Sequence, residues 1–205
     1  MDDAMLSRIQ RLVDKEEIRD VMARYARAVD RQDLTGLREV YHPDAYDDHA
    51  DYRGGIDGLL DYVKERVGRA PQVMHFLGQS SVEFASADTA AVESYFMTAH
   101  TLDAEAALEF GAKTEDGGSV QLSGFGRYVD HFERRDGAWK IVHRVVVYEA
   151  MRVVTAGTLP TKPDWEKHRR DANDPIFRLR AELGVGQERP GNQPPSPATL
   201  DVGQE

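Results

Sequence analysis

The chain has 205 residues, 40% of them hydrophobic and 30% charged, and no cysteine. That is a globular composition long enough for a core of its own, and it excludes disulfides, thiolate nucleophiles, zinc knuckles and cysteine-held iron–sulfur clusters. With 36 acidic against 26 basic residues the net charge is −10, which disfavours a nucleic-acid backbone or an anionic membrane surface as partner.

The amino terminus, Met1-Asp2-Asp3, is acidic and no apolar signal region follows it, so a cytoplasmic location is expected. Leu6, Ile9, Leu12, Val13, Ile18, Val21, Met22 and Tyr25 then recur at helical spacing. Asp14 is placed to cap a second helix from Lys15, so a break near residues 13–16 is expected, with the helix ending about Val29 and Asp30. Asp33 predicts the cap of a short helix over 33–41, which Pro43 terminates. Residues 44–53 are acidic and aromatic, with room for a short strand. Gly54-Gly55 introduces a third helix carrying Ile56, Leu59, Leu60, Val63 and Val67 on one side.

After Pro71 the hydrophobic period falls to two. Strands are predicted over 72–85, 89–102, 120–134 and 139–149, with a turn at 85–88, a long polar loop over 103–119, and an Asp-Gly hairpin turn at Asp136-Gly137. Helices first and antiparallel strands after give an α+β architecture, helices covering one face of a curved, mostly antiparallel sheet. Residues 1–154 are expected to form this domain and 155–205 an extended carboxy-terminal tail. Within the tail Asp174 caps a short helix with Ile176, Phe177, Leu179 and Leu183, and the chain is proline-rich from about 189.

The common catalytic signatures are absent: there is no G-x-S-x-G, no phosphate-binding G-x-x-x-x-G-K and no H-E-x-x-H. Gly124 and Gly126 sit mid-strand and are expected to bend the sheet. What remains is Asp30 at a helix end and three histidines on predicted strands, His75, His100 and His143. Period two puts Trp139, Ile141, His143, Val145 and Val147 on one face, so His143 is expected to follow Trp139 inward and Arg144 to point away. Singly, each histidine is an ordinary residue of a sheet. Three of them facing a helix that ends in a carboxylate form a stronger pattern. His42, Asp44, Asp47, Asp48, His49 and Asp51 have the donor types of a metal site, but their spacing matches no cage. They are expected to form an acidic surface loop and edge strand, and neither metal nor cofactor is expected.

Residues 18–30 with Tyr25 and Asp30, then Asp33-Leu34-Thr35-Gly36-Leu37, Tyr41-His42-Pro43-Asp44-Ala45 and the hairpin from Phe132 to Ile141, resemble the SnoaL-like branch of the NTF2-like superfamily, over about residues 6–150. The resemblance implies a cone of helices on a curved sheet, a fold that hosts many activities. It is nearest to scytalone dehydratase, hexachlorocyclohexane dehydrochlorinase and bile-acid 7α-dehydratase, which pair an aspartate at the end of the first long helix with a histidine on the following strand. Asp30 and His75 match those positions by order and spacing. His100 fits a second histidine one strand on, and Tyr25 resembles the tyrosine that precedes the aspartate in the bile-acid enzyme.

Of His143 and Arg144, His143 is preferred as the pocket residue. The resemblance implies a cofactor-free lyase of the dehydratase kind acting on a small, mostly apolar cyclic or aromatic molecule. Two alternatives stand beside it: an isomerase or polyketide cyclase, or the non-catalytic small subunit of a ring-hydroxylating dioxygenase. Apolar residues on both faces of the predicted strands imply a homo-oligomer, trimer or dimer.

Overall fold

A computed structural model describes residues 2–49, 51–109, 119–154 and 162–185. The chain forms two compact units, Met1–Trp165 and Glu166–Glu205.

The first unit opens with α1 (Asp3–Arg31), a single helix of 29 residues. Asp2 caps its start by accepting the Met5 N–H at 2.8 Å, and Gln32, at a left-handed φ of 53°, closes its end. The expected break near Asp14 does not occur. Asp14 is buried inside the helix, where its Oδ1 accepts from Gln10 at 3.0 Å, Arg134 at 2.8 Å and the Trp139 indole at 3.2 Å. Those tertiary donors satisfy the side chain without a helix start, so it does not act as a cap.

The short α2 (Leu34–Glu39) follows, with Asp33 accepting from the Gly36 N–H as its cap. The chain then enters β1 (Tyr41–His49) and β2 (Tyr52–Gly55) rather than one short strand. Next comes α3 (Ile56–Gly68), which buries the expected face of Ile56, Leu59, Leu60, Val63 and Val67.

The predicted strands are present as β3 (Gln72–Phe84), β4 (Thr89–Leu102), β5 (Val120–Arg135) and β6 (Ala138–Val154). A short α4 (Ala104–Glu109) lies in the stretch expected to be loop, whose remainder over 110–118 is outside the described residues. The six strands form one sheet in the order β2-β1-β6-β5-β4-β3, antiparallel except where β1 runs parallel to β6. Asp136 and Gly137, with φ of 52° and 78°, make the hairpin between β5 and β6. Helices on one face of a curved sheet are the expected α+β cone.

Two bulges on β6 position the site. Val142 is an extra residue: His131 pairs with His143 but Phe132 with Ile141. Glu149 is another, since Phe125 pairs with Ala150 but Gly126 with Tyr148. Gly126 lies beside the second bulge, where a Cβ would stand 2.2 Å from the Val147 carbonyl oxygen and 2.8 Å from Phe96 Cζ. The backbone there lies too close to its neighbours for any side chain. Gly126→Ala is expected to destabilise the fold by about 1–3 kcal/mol through overpacking, read from urea unfolding.

The core lies between α1, α3 and the inner face of the sheet, with Ile18, Val21, Met22 and Val29 packed against Val73, Phe96, Tyr128, Phe132 and Ile141. The outer face of the sheet carries exposed apolar side chains, among them Met74, Phe76 (62% exposed), Tyr95, Met97 and Val129.

In the second unit α5 (Pro175–Leu183) starts at Asp174, which accepts the Ile176 N–H, and ends at Gly184 with φ 65°. The proline-rich stretch from about 189 lies outside the described residues. Among the described residues no helix is long and apolar enough to cross a membrane.

Candidate active site

The last turn of α1 delivers Asp30 to the start of β3. Its carboxylate accepts the backbone N–H of His75 at 3.0 and 3.1 Å and the ring Nδ1–H of the same residue at 2.6 Å. Both side chains are buried, 8% and 7% exposed, with Arg31 4.0 Å from the carboxylate. A carboxylate removed from water needs such donors. Here they do a second thing: Asp30 fixes the His75 ring by holding Nδ1 as the protonated nitrogen, which leaves Nε2 with a lone pair.

His75 lines a cavity closed on one side by α1 and α3 and on the other by the inner face of the sheet. Its apolar wall includes Val29, Val63, Phe96 and Leu122. Tyr25, His100, Tyr148, Tyr62 and His49 add polar groups. His100 stands on β4 beside His75, ring centroids 6.4 Å apart and nearly edge-on.

Tyr25 is fully packed, its ring 6.3 Å from His75 and 5.4 Å from Tyr128. Burial pushes the Tyr25 phenol well above its ordinary value, against the opposing pull of Arg144. The phenol therefore keeps its proton and remains a donor. Burial likewise pushes Tyr148 up to about 12.

The structure brings Asp30, His75, Tyr25 and His100 together, but not His143. The Val142 bulge shifts β6 by one residue, so inward parity passes from Ile141 to Arg144. His143 is instead exposed on the outer face, its ring 5.6 Å from that of Tyr46. His143→Ala is expected to leave stability within about 0.5 kcal/mol of the parent and activity unchanged, checked by urea unfolding alongside a rate assay.

Arg144, expected to point outward, is 0% exposed beneath the cavity. It forms a bidentate pair with Asp130 at 2.7 Å on each arm, donates to Tyr41 at 3.3 Å, and stacks between the rings of Tyr25 and Tyr128 at 4.0 and 4.2 Å. Burial opposes its charge, yet Asp130 and the surrounding phenols hold it protonated.

The acidic stretch 42–51 is distributed by the alternation of β1. Asp44 and Asp48 face Arg135 and Arg53 at the surface. Asp47 and His49 turn inward, Asp47 fully buried and His49 onto the cavity. Both lie in the stretch expected to be an acidic surface loop and edge strand; the period-two spacing of Ala45, Asp47 and His49 is the signal of their inward turn. Among the described residues no group of three or more histidine, aspartate or glutamate side chains is arranged to hold a metal ion.

The SnoaL-like domain model matches residues 10–145. The uncharacterized protein Rv2910c of Mycobacterium tuberculosis is 30% identical over 152 residues, which cover 71% of this chain and 91% of that protein. Among solved structures, a hexachlorocyclohexane dehydrochlorinase (LinA type 2) superposes with a TM-score of 0.63 at 20% identity, covering 77% of this chain and 99% of that one. A putative scytalone dehydratase from Novosphingobium aromaticivorans gives a TM-score of 0.56 at 18% identity, covering 78% and 98%. These structural likenesses concern the fold. The family match spans most of the first unit, and the chain belongs to the SnoaL-like family.

Proposed function

We propose that the protein is a cofactor-independent lyase in which His75, oriented by Asp30, takes a proton from a small, mostly apolar cyclic substrate while a leaving group departs. The observation that carries this is the 2.6 Å contact between Asp30 and His75 Nδ1, which leaves Nε2 as the basic nitrogen of a cavity-lining ring. Asp30 also supports the imidazolium formed when Nε2 takes the proton. Tyr25 donates to a substrate oxygen as negative charge develops there, and His100, beside His75 on the cavity wall, binds the substrate at the same end. The comparisons support a family of this fold, and structures described as dehydrochlorinase and putative dehydratase are among its neighbours.

Nitrobenzisoxazole tests the base without knowledge of the natural substrate. Removal of its ring C–H proton breaks the N–O bond and releases a coloured nitrile-bearing phenolate. The wild type is expected to give saturable elimination well above an equal concentration of free imidazole, and His75→Ala to lose it. A wild type no faster than imidazole would refute the assignment.

An isomerase is the second reading, favoured by the two packed phenols of Tyr25 and Tyr128, rings 5.4 Å apart on the cavity wall, which suit an enolate oxygen. Product mass separates the two: elimination removes the leaving group, isomerisation leaves mass unchanged.

We also propose that the exposed apolar outer face of the sheet is covered by further copies of this chain. Sedimentation should show an oligomer that Phe76→Glu weakens or dissociates. A monomeric wild type at micromolar concentration would overturn this.

A further inference from the structure

The cavity holds a second imidazole–carboxylate pair that the mechanism above does not use. Asp47 is 0% exposed on β1, and its Oδ2 accepts the Tyr41 hydroxyl at 2.7 Å. Its Oδ1 stands 3.3 Å from Nδ1 of His49, an ion-pair distance. The two atoms are buried, and among the described residues neither has a hydrogen-bond partner. Each faces the other in a position that a small ring rotation converts to a hydrogen bond; catalytic contacts of this kind are often loose before substrate binds.

The carboxylate stays charged. Although burial opposes ionisation, the contacts from His49, Arg144 and Tyr41 hold the Asp47 carboxyl below its ordinary value. It is therefore an anion buried beside an imidazole. Beyond Asp47, His49 packs at a tilt against Tyr62 of α3, centroids 6.0 Å apart, and Tyr62 lies under Arg66, which pairs with Asp51.

Topology separates the two pairs. His75 is on β3, the edge strand, and His49 on β1, four places away in the sheet order, yet both line one cavity. A flat sheet would hold strands four places apart at roughly 19 Å; curvature turns both inward. The pairs are thus suited to opposite ends of one substrate, a base at one and an acid at the other.

We propose that His49 is a second catalytic residue, the general acid that protonates the leaving group, with Asp47 as its positioning residue. This rests on the assignment of His75 as base. In the elimination His75 Nε2 takes the carbon-bound proton and the new π bond forms. The bond to the leaving group breaks with its electron pair, and the His49 imidazolium gives its Nε2 proton to the departing oxygen. Neutral His49 and cationic His75 remain, and exchange with water after product release resets both.

The test compares two probes that need the same base but unequal help at the leaving oxygen. Nitrobenzisoxazole releases a stabilised phenolate that departs unaided, whereas unsubstituted benzisoxazole releases a more basic one. His49→Gln is expected to slow the unsubstituted probe about 100-fold and the nitro probe less than about threefold, the range general acid catalysis supplies. Asp47→Asn should show the same selectivity, which a merely structural role would not produce, and His75→Ala should lose both probes. Equal loss on the two probes in His49→Gln, or no loss on either, overturns the role of His49 and leaves the Asp30–His75 base standing. A wild type inactive on both probes overturns the two assignments together.

Discussion

Asp30→Asn is expected to lower the rate of nitrobenzisoxazole elimination by about 10³–10⁴-fold, near the upper range for loss of a general base. The two residues are nearly isosteric, so the cause is proton placement. The Asp30 carboxylate accepts from both the backbone N–H and the ring Nδ1–H of His75. An asparagine has one acceptor oxygen for these two donors. If the oxygen stays with the backbone N–H, the amide NH₂ faces Nδ1 and donates to it. The ring then carries its proton on Nε2 and presents a donor, not a lone pair, to the cavity. Proton-detected NMR of the histidine rings should show this exchange of tautomer. Folding should survive, with a cost of about 1 kcal/mol for one weakened buried hydrogen bond. A variant that keeps both its tautomer and more than a tenth of the wild-type rate would show that Asp30 does not orient the ring.

Arg144→Met carries the largest expected stability loss, about 3–5 kcal/mol, because it strands the buried carboxylate of Asp130. Both partners are 0% exposed at their side chains, and the pair is bidentate. Burial already pushes the Asp130 carboxyl above its ordinary value in spite of Arg144, so without the guanidinium that carboxyl is left with the desolvation cost. Arg144→Met combined with Asp130→Leu removes both charges and should regain most of the loss, since an apolar pair of similar volume is often as stable as a buried ion pair. Urea unfolding of the four proteins closes the cycle. A cost below about 1 kcal/mol for the single variant would mean that water reaches Asp130. The guanidinium also lies between Tyr25 and Tyr128. Arg144→Met should therefore reduce elimination activity even in the double variant that restores stability.

The pattern of strands and the helix-end carboxylate were legible in the sequence because they depend on local periodicity. Four alternating segments and the apolar face of α3 required nothing distant. Other features depended on partners remote in the chain. Asp14 resembles a cap until Arg134 and Trp139, far along the chain, donate to it. His143 and Arg144 were assigned to the wrong faces because parity counting assumes an unbroken ladder, and Val142 breaks it. Asp47 and His49 looked like surface residues because acidic neighbours on the same strand are exposed, although the strand sends alternate side chains to opposite faces.

The extra residue at Val142 lets Ile141 and Arg144, three positions apart in sequence, turn to the same face, so a permanent cation meets Asp130 while the neighbouring imidazole stays outside. Deleting Val142 would leave an unbroken ladder with His143 still opposite His131 and Arg144 still opposite Asp130. The charge beneath the tyrosines would therefore survive a one-codon loss, and what would change is the local bend and twist of the strand that delivers it.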